Sequence, residues 1–114
     1  MSRIKHIEFA GRNGPALEAF YSALFGWSIV RKETGPGFQY GDIRVEGEPT
    51  AGIRHEPEGK AEVVVYVEVD DLEGTVDKAR VLGAKVRISP MQYGDLRFAL
   101  IEDPEGNPIG ITQQ

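Results

Sequence analysis

EVVVYVEV, residues 62–69, alternates strictly, with Val63, Val65, Val67 and Val69 on one face and Glu62, Val64, Tyr66 and Glu68 on the other. That period of two is a strand. The next stretch, DDLEGTVDKARVLG (70–83), changes period: Leu72, Val76, Ala79 and Leu82 make a helical stripe and Gly83 ends it. Asp70 and Glu73 have the spacing of a capping box at the start of that helix. Three strands are expected after it, at about 84–88, 95–102 and 108–112, the last two joined by the turn Asp103-Pro104-Glu105-Gly106-Asn107.

The first half of the chain carries the same pattern. IKHIEFA (4–10) alternates as a strand, with His6 and Glu8 opposite in phase to Ile7 and Phe9. Arg12-Asn13-Gly14-Pro15 signals a helix start, Leu17, Phe20, Tyr21 and Leu24 form one apolar stripe, and Gly26 closes it. Strands are expected at about 27–32, 38–45 and 50–54, set apart by GPG and EGEP turns. Asn13 falls on Asp71, and Phe25-Gly26-Trp27-Ser28-Ile29 on Leu82-Gly83-Ala84-Lys85-Val86, so one βαβββ unit is used twice. Neither unit is long enough to bury its sheet alone, which requires the two to pack together or against a second chain.

With 114 residues, 40% hydrophobic and 27% charged, the chain has the size and composition of one ordinary globular domain. A net charge of −5 and the lack of any basic run exclude an electrostatic footprint for nucleic acid or an anionic membrane. No apolar run approaches membrane-spanning length. The absence of cysteine removes disulfides, thiolate nucleophiles and cysteine metal sites, and fits a cytoplasmic protein. The partners expected are a small molecule and a second copy of the chain.

HIEFAGRNGPALEAFYSALFGW, VYVEVDDLEGTVDKARVLGAKV and GDLRFALIEDPEGNPIGI resemble the vicinal oxygen chelate superfamily, which includes glyoxalase I, bleomycin-resistance proteins, fosfomycin-resistance enzymes and extradiol dioxygenases. The resemblance implies an α+β fold of two βαβββ modules, 1–54 and 61–114 with a linker at 55–60. It further implies a curled mixed sheet with the helices outside, and often a homodimer. Metal enzymes of this group draw ligands from the first and last strand of each module. Carried across, those positions are His6, Val64, Gly52 and Gly110, of which His6 alone can ligate. A catalytic ion normally needs about three protein ligands, so no metal cofactor is expected.

The reading that follows is a metal-independent small-molecule-binding protein, holding an apolar or aromatic ligand in a cup lined by His6, Glu8, Val64, Tyr66 and Glu68. The alternative is a lyase or isomerase acting on a small oxygenated substrate, with a metal displaced onto His6, Glu8 and Glu68 or with acid–base chemistry by those groups. A degenerate copy that serves assembly is a third. Tyr40, Arg44, Arg97 and Phe98 lie on middle strands whose facing alternation does not settle. Three features carry no chemistry: Gly35 to Gly41 is a loop and not a phosphate-binding motif, no serine has a nucleophile-elbow context, and His55 is expected exposed in the linker.

Overall fold

The computed structural model describes residues 2–33 and 39–113; the GPG turn and the expected start of the third strand at Phe38 lie outside them. The first module comprises β1 (Arg3–Gly11), α1 (Gly14–Phe25), β2 (Ile29–Glu33), β3 (Gln39–Ile43) and β4 (Thr50–His55). The second repeats it as β5 (Glu62–Val69), α2 (Leu72–Val81), β6 (Lys85–Tyr93), β7 (Leu96–Glu102) and β8 (Pro108–Gln113). The fold is α+β, as the resemblance implied. The chain divides into two compact units, residues 6–64 and residues 1–5 with 65–114.

Each module orders its strands identically: β2-β3-β4-β1 in the first, β6-β7-β8-β5 in the second. The outer pairs are antiparallel, while β1 runs parallel to β4 and β5 to β8, so each sheet is mixed. The parallel pairs need a crossover, and α1 and α2 begin it.

Helix starts are built from matching atoms. Asn13 caps α1 by accepting from Ala16 N at 3.0 Å, and Asp71 caps α2 by accepting from Gly74 N at 3.0 Å. The cap of α2 is therefore Asp71 and not Asp70: β5 ends at Val69 and α2 begins at Leu72, so Asp70 lies in the bend between them and Asp71 is the residue next to the first helical amides. A second match involves His55, which is the last residue of β4 and not an exposed linker residue. Its Nδ1 accepts from Gly14 N at 2.9 Å, while Gln113, the last residue of β8, accepts from Leu72 N at 2.6 Å. Each module thus ties the tail of its last strand to the first amide of its helix, satisfying a donor that no helical carbonyl reaches.

Each helix covers one face of its own sheet. Under α2 the core joins Val69, Leu72, Val76, Ala99, Ile101 and Ile111, with Val67 packed against it. Leu72 and Val76 are fully buried, each worth about 1.5–3 kcal/mol over exposure. Leu82 does not extend that stripe; it is the C-cap residue and is exposed. Under α1, Tyr21 packs on Phe9 with ring centres 4.9 Å apart, and Glu18 reaches Arg31 at 3.0 Å. Phe20 and Leu24 turn outward, so the buried stripe of α1 is narrower than its apolar residues suggest.

Candidate functional site

The face of the first module away from α1 carries the polar groups. Register places His6 opposite Thr50, Glu8 opposite Gly52 and Ala10 opposite Arg54, while β3 sets Asp42 opposite Gly52 and Tyr40 opposite Arg54. Paired residues share a face, so His6, Glu8, Tyr40, Asp42, Thr50 and Arg54 stand together, opposite Phe9 and Ile53. His6 Nδ1 lies 2.6 Å from Thr50 Oγ1 and Nε2 lies 2.6 Å from the Tyr40 hydroxyl. Burial pushes the imidazole below the usual histidine range, against a smaller opposing pull from the Asp42 charge. The ring is therefore neutral at pH 7, with one nitrogen donating and the other accepting, and the two hydroxyls turn to suit either tautomer.

Glu8 is buried, and its carboxylate meets Arg54 Nη1 at 2.9 Å. The same guanidinium lies 3.4 Å from both Glu56 and Glu62. One cation among three carboxylates leaves no positive charge to spare, so Arg54 is not an anchor for an anionic ligand. Gly52 matters for what it lacks. A Cβ there would run into the Tyr40 side chain at its hydroxyl, Cε2 and Cζ, so the tyrosine occupies the space a ligating side chain would use.

The second unit repeats this by a different contact. Tyr66 stands opposite Gly110, and a Cβ on Gly110 would run into the ring at Cγ, Cδ2 and Cε2. Glu68 is engaged by Arg3, with Oε1 3.2 Å from Nη2 and 3.3 Å from Nε. Opposite Glu68 sits Thr112, whose Oγ1 is buried and has no hydrogen-bond partner among the described residues. Of the residues singled out by sequence, His6, Glu8 and Val64 belong to the unit 6–64, and Tyr66 and Glu68 to the other. Val64 is fully buried.

The unsettled facings resolve. Tyr40 joins His6. Arg97 faces α2, where it bonds Glu73 and approaches Gln113 at 3.4 Å, and the bond to Arg97 holds the Glu73 carboxyl below its usual range. Phe98 is opposite Thr112, on the far side from α2. Arg44 is exposed beyond β3. Thr50, Asp42 and Arg54 were missed in the sequence. Thr50 and Arg54 lie two positions either side of Gly52, in its phase, and that alternation was the available signal.

A family model for the glyoxalase-like domain matches residues 6–112. The chain belongs to the glyoxalase-like domain family. Solved structures place that domain in the vicinal oxygen chelate fold. A hypothetical protein, BH1468, from Bacillus halodurans superposes with a TM-score of 0.74 at 13% identity, covering 99% of this chain and 94% of that one. A Streptomyces coelicolor methylmalonyl-CoA epimerase bound to 2-nitronate-propionyl-CoA gives 0.72 at 16% identity, covering 98% and 96%. At these identities the likeness is one of fold. In sequence, the chain is 33% identical over 105 residues to the protein CFP32 of Mycobacterium bovis and of Mycobacterium tuberculosis, provisionally named a glyoxylase. The match covers 86% of this chain and 40% of those relatives, so the glyoxalase-like domain described here spans about two-fifths of their length.

The four positions from which metal enzymes of the superfamily take ligands do not fit that role in this domain. His6 can ligate, Val64 cannot, and tyrosine rings fill the room at Gly52 and Gly110. Among the described residues, no group of three or more His, Cys, Asp or Glu side chains is placed to hold a metal ion. No helix among them is long and apolar enough to cross a membrane.

Proposed function

We propose that this glyoxalase-like domain binds a small molecule without a metal ion, working as a homodimer in the cytoplasm. The observation that carries the reading is the pair of tyrosine rings lying where a Cβ on Gly52 or Gly110 would stand. Recognition then falls to hydrogen bonds. The first module offers a neutral His6 flanked by Thr50 and Tyr40. Arg54 being consumed by Glu8, Glu56 and Glu62, the ligand is uncharged, with an oxygen or nitrogen for these groups and an apolar or aromatic body. His6, Glu8, Val64, Tyr66 and Glu68 are the proposed lining, joined by Tyr40 and Thr50.

The experiment is elemental analysis of protein made in medium supplemented with Zn, Ni, Mn and Fe, followed by a thermal-shift panel of those ions and neutral aromatic compounds. A bound ligand raises the melting temperature by mass action. Protein free of stoichiometric metal that responds to aromatic compounds supports the reading. About one ion per chain, lost in His6→Ala, overturns it.

A second reading rests on the 2.6 Å contact between His6 Nε2 and the Tyr40 hydroxyl, which can pass a proton between a phenol and a neutral imidazole. With a relative provisionally named a glyoxylase and structural neighbours that are epimerases, this pair suits a lyase or isomerase that moves a proton beside a carbonyl. Turnover of the hemithioacetal of methylglyoxal and glutathione, measured with chelator present, separates the two. Activity lost in both His6→Gln and Tyr40→Phe selects the enzyme.

A further inference from the structure

A groove lies on the opposite side of the first module, away from His6. It has a volume of about 550 Å³ and runs along α1, floored by Phe9, Leu17 and Tyr21 and edged by Phe20 and Val63. Phe20 is 57% exposed and Val63 51%, so the edges are apolar surface facing solvent. Nothing in helix physics demands this. α2, its repeat partner, carries Glu73, Asp77, Lys78 and Arg80, whereas Glu18 is the one charged residue of α1 and is spent on Arg31.

One end of the groove is cationic. Arg12 lines it, and its Nε donates to Gly59 O at 2.8 Å, which fixes the guanidinium in place. Its terminal nitrogens make no hydrogen bond or ion pair among the described residues. The nearest acid on the lining, Glu62, is engaged with Arg54. The amides at the start of α1 are also occupied, Gly14 N by His55 and Ala16 N by Asn13, so Arg12 is the groove's anion-binding group.

The geometry points to a second ligand site, independent of the one proposed above, for an apolar monoanion: a carboxylate on a hydrocarbon or aryl body. The carboxylate takes the two free N–H edges of Arg12, and the body lies over Phe9, Tyr21 and Phe20. A planar guanidinium with a free edge suits a carboxylate, and a groove of this size and lining suits a chain of several carbons.

The protein has an internal reporter. Trp27 is its single tryptophan, and its ring stacks on Tyr21 at 5.7 Å. Titrating decanoate should change Trp27 fluorescence saturably. Arg12→Gln should weaken decanoate about tenfold, the value of one charge-assisted contact, while binding of uncharged decanol is unchanged. Phe20→Ser, an exposed position that does not disturb the core, should weaken both. The proposal is overturned if decanoate gives no saturable change, or if Arg12→Gln affects decanoate and decanol alike. It is equally overturned if light scattering shows Phe20→Ser dissociating a dimer whose fluorescence decanoate does not alter, since the groove would then be a contact between copies of this chain.

Discussion

Substituting Gly110→Ala tests the feature on which the functional reading stands. The new Cβ would meet Tyr66 at Cγ, Cδ2 and Cε2, atoms near the root of the ring that cannot swing clear without tilting the whole side chain. Overpacking of that kind costs about 1–3 kcal/mol. Tyr66→Ala alone loses the packing of a half-buried ring, but in its background Gly110→Ala should cost little, since the obstacle has gone. The two substitutions should therefore be non-additive by about 1–2 kcal/mol, with the double variant more stable than the sum predicts. Urea denaturation of the four proteins measures this. Gly52→Ala is an internal comparison: it meets Tyr40 at the hydroxyl, Cε2 and Cζ, the far end of the ring, which yields more easily. It should cost less than Gly110→Ala, and its cost should include weakening of the His6 contact. Additive behaviour at Gly110 and Tyr66 would refute the reasoning, because it would mean the ring does not fill the ligand position.

Because burial lowers the His6 pKa, the unfolded chain takes up a proton near pH 6.5, the ordinary histidine value, before the folded protein does. Stability should be fully present above that pH and fall as pH drops through the window below it, and the urea midpoint of His6→Gln should fall less between pH 7.5 and pH 5.5 than that of the wild type. His55→Ala strips the acceptor from Gly14 N and should cost about 1 kcal/mol, whereas His55→Gln should recover roughly half or more, since Gln113 does the same task at Leu72. Val76→Ala empties a fully buried position under α2 and should cost about 2–3 kcal/mol by denaturant titration, more than His55→Ala.

Elements and their order were legible because each is marked by local physics. EVVVYVEV can satisfy only a two-residue period, and its expected bounds agree with β5 at both ends. The Asn13 and Gly26 signals likewise bracket α1. The repeat extends to single hydrogen bonds, from Asn13 and Asp71 at the caps to His55 and Gln113 at the strand tails. His55 reads as linker in the sequence because the polar stretch with Pro57 and Gly59 looks like linker from its first residue, and only the pairing with Gly11 reveals that β4 continues. Tyr40 escaped for a different reason. Its strand's phase relative to β1 depends on register across β4, which no local pattern encodes.

The repeat also isolates what distinguishes the two modules. Register sets His6, Glu8, Tyr40, Asp42 and Arg54 of the first against Val64, Tyr66, Phe98, Leu100 and Thr112 of the second, position for position. The backbone scaffold is the same in both, yet the first copy links His6 to Tyr40 and Thr50 and pairs Glu8 with Arg54, whereas the second sets Tyr66, Glu68 and Thr112 beside apolar Val64, Phe98 and Leu100. The helix caps Asn13 and Asp71 and the strand glycines Gly52 and Gly110 are alike because each module must still fold by them. The other residues on the face away from the helices are free of that constraint, and on the binding reading proposed above the polar cluster of the first module is the part that recognises hydrogen-bonding atoms of a ligand. Variants of His6, Tyr40 and Thr50 should consequently abolish the response to neutral aromatic compounds. If truncating His6 left the thermal-shift response to neutral aromatic compounds unchanged, that assignment would be wrong.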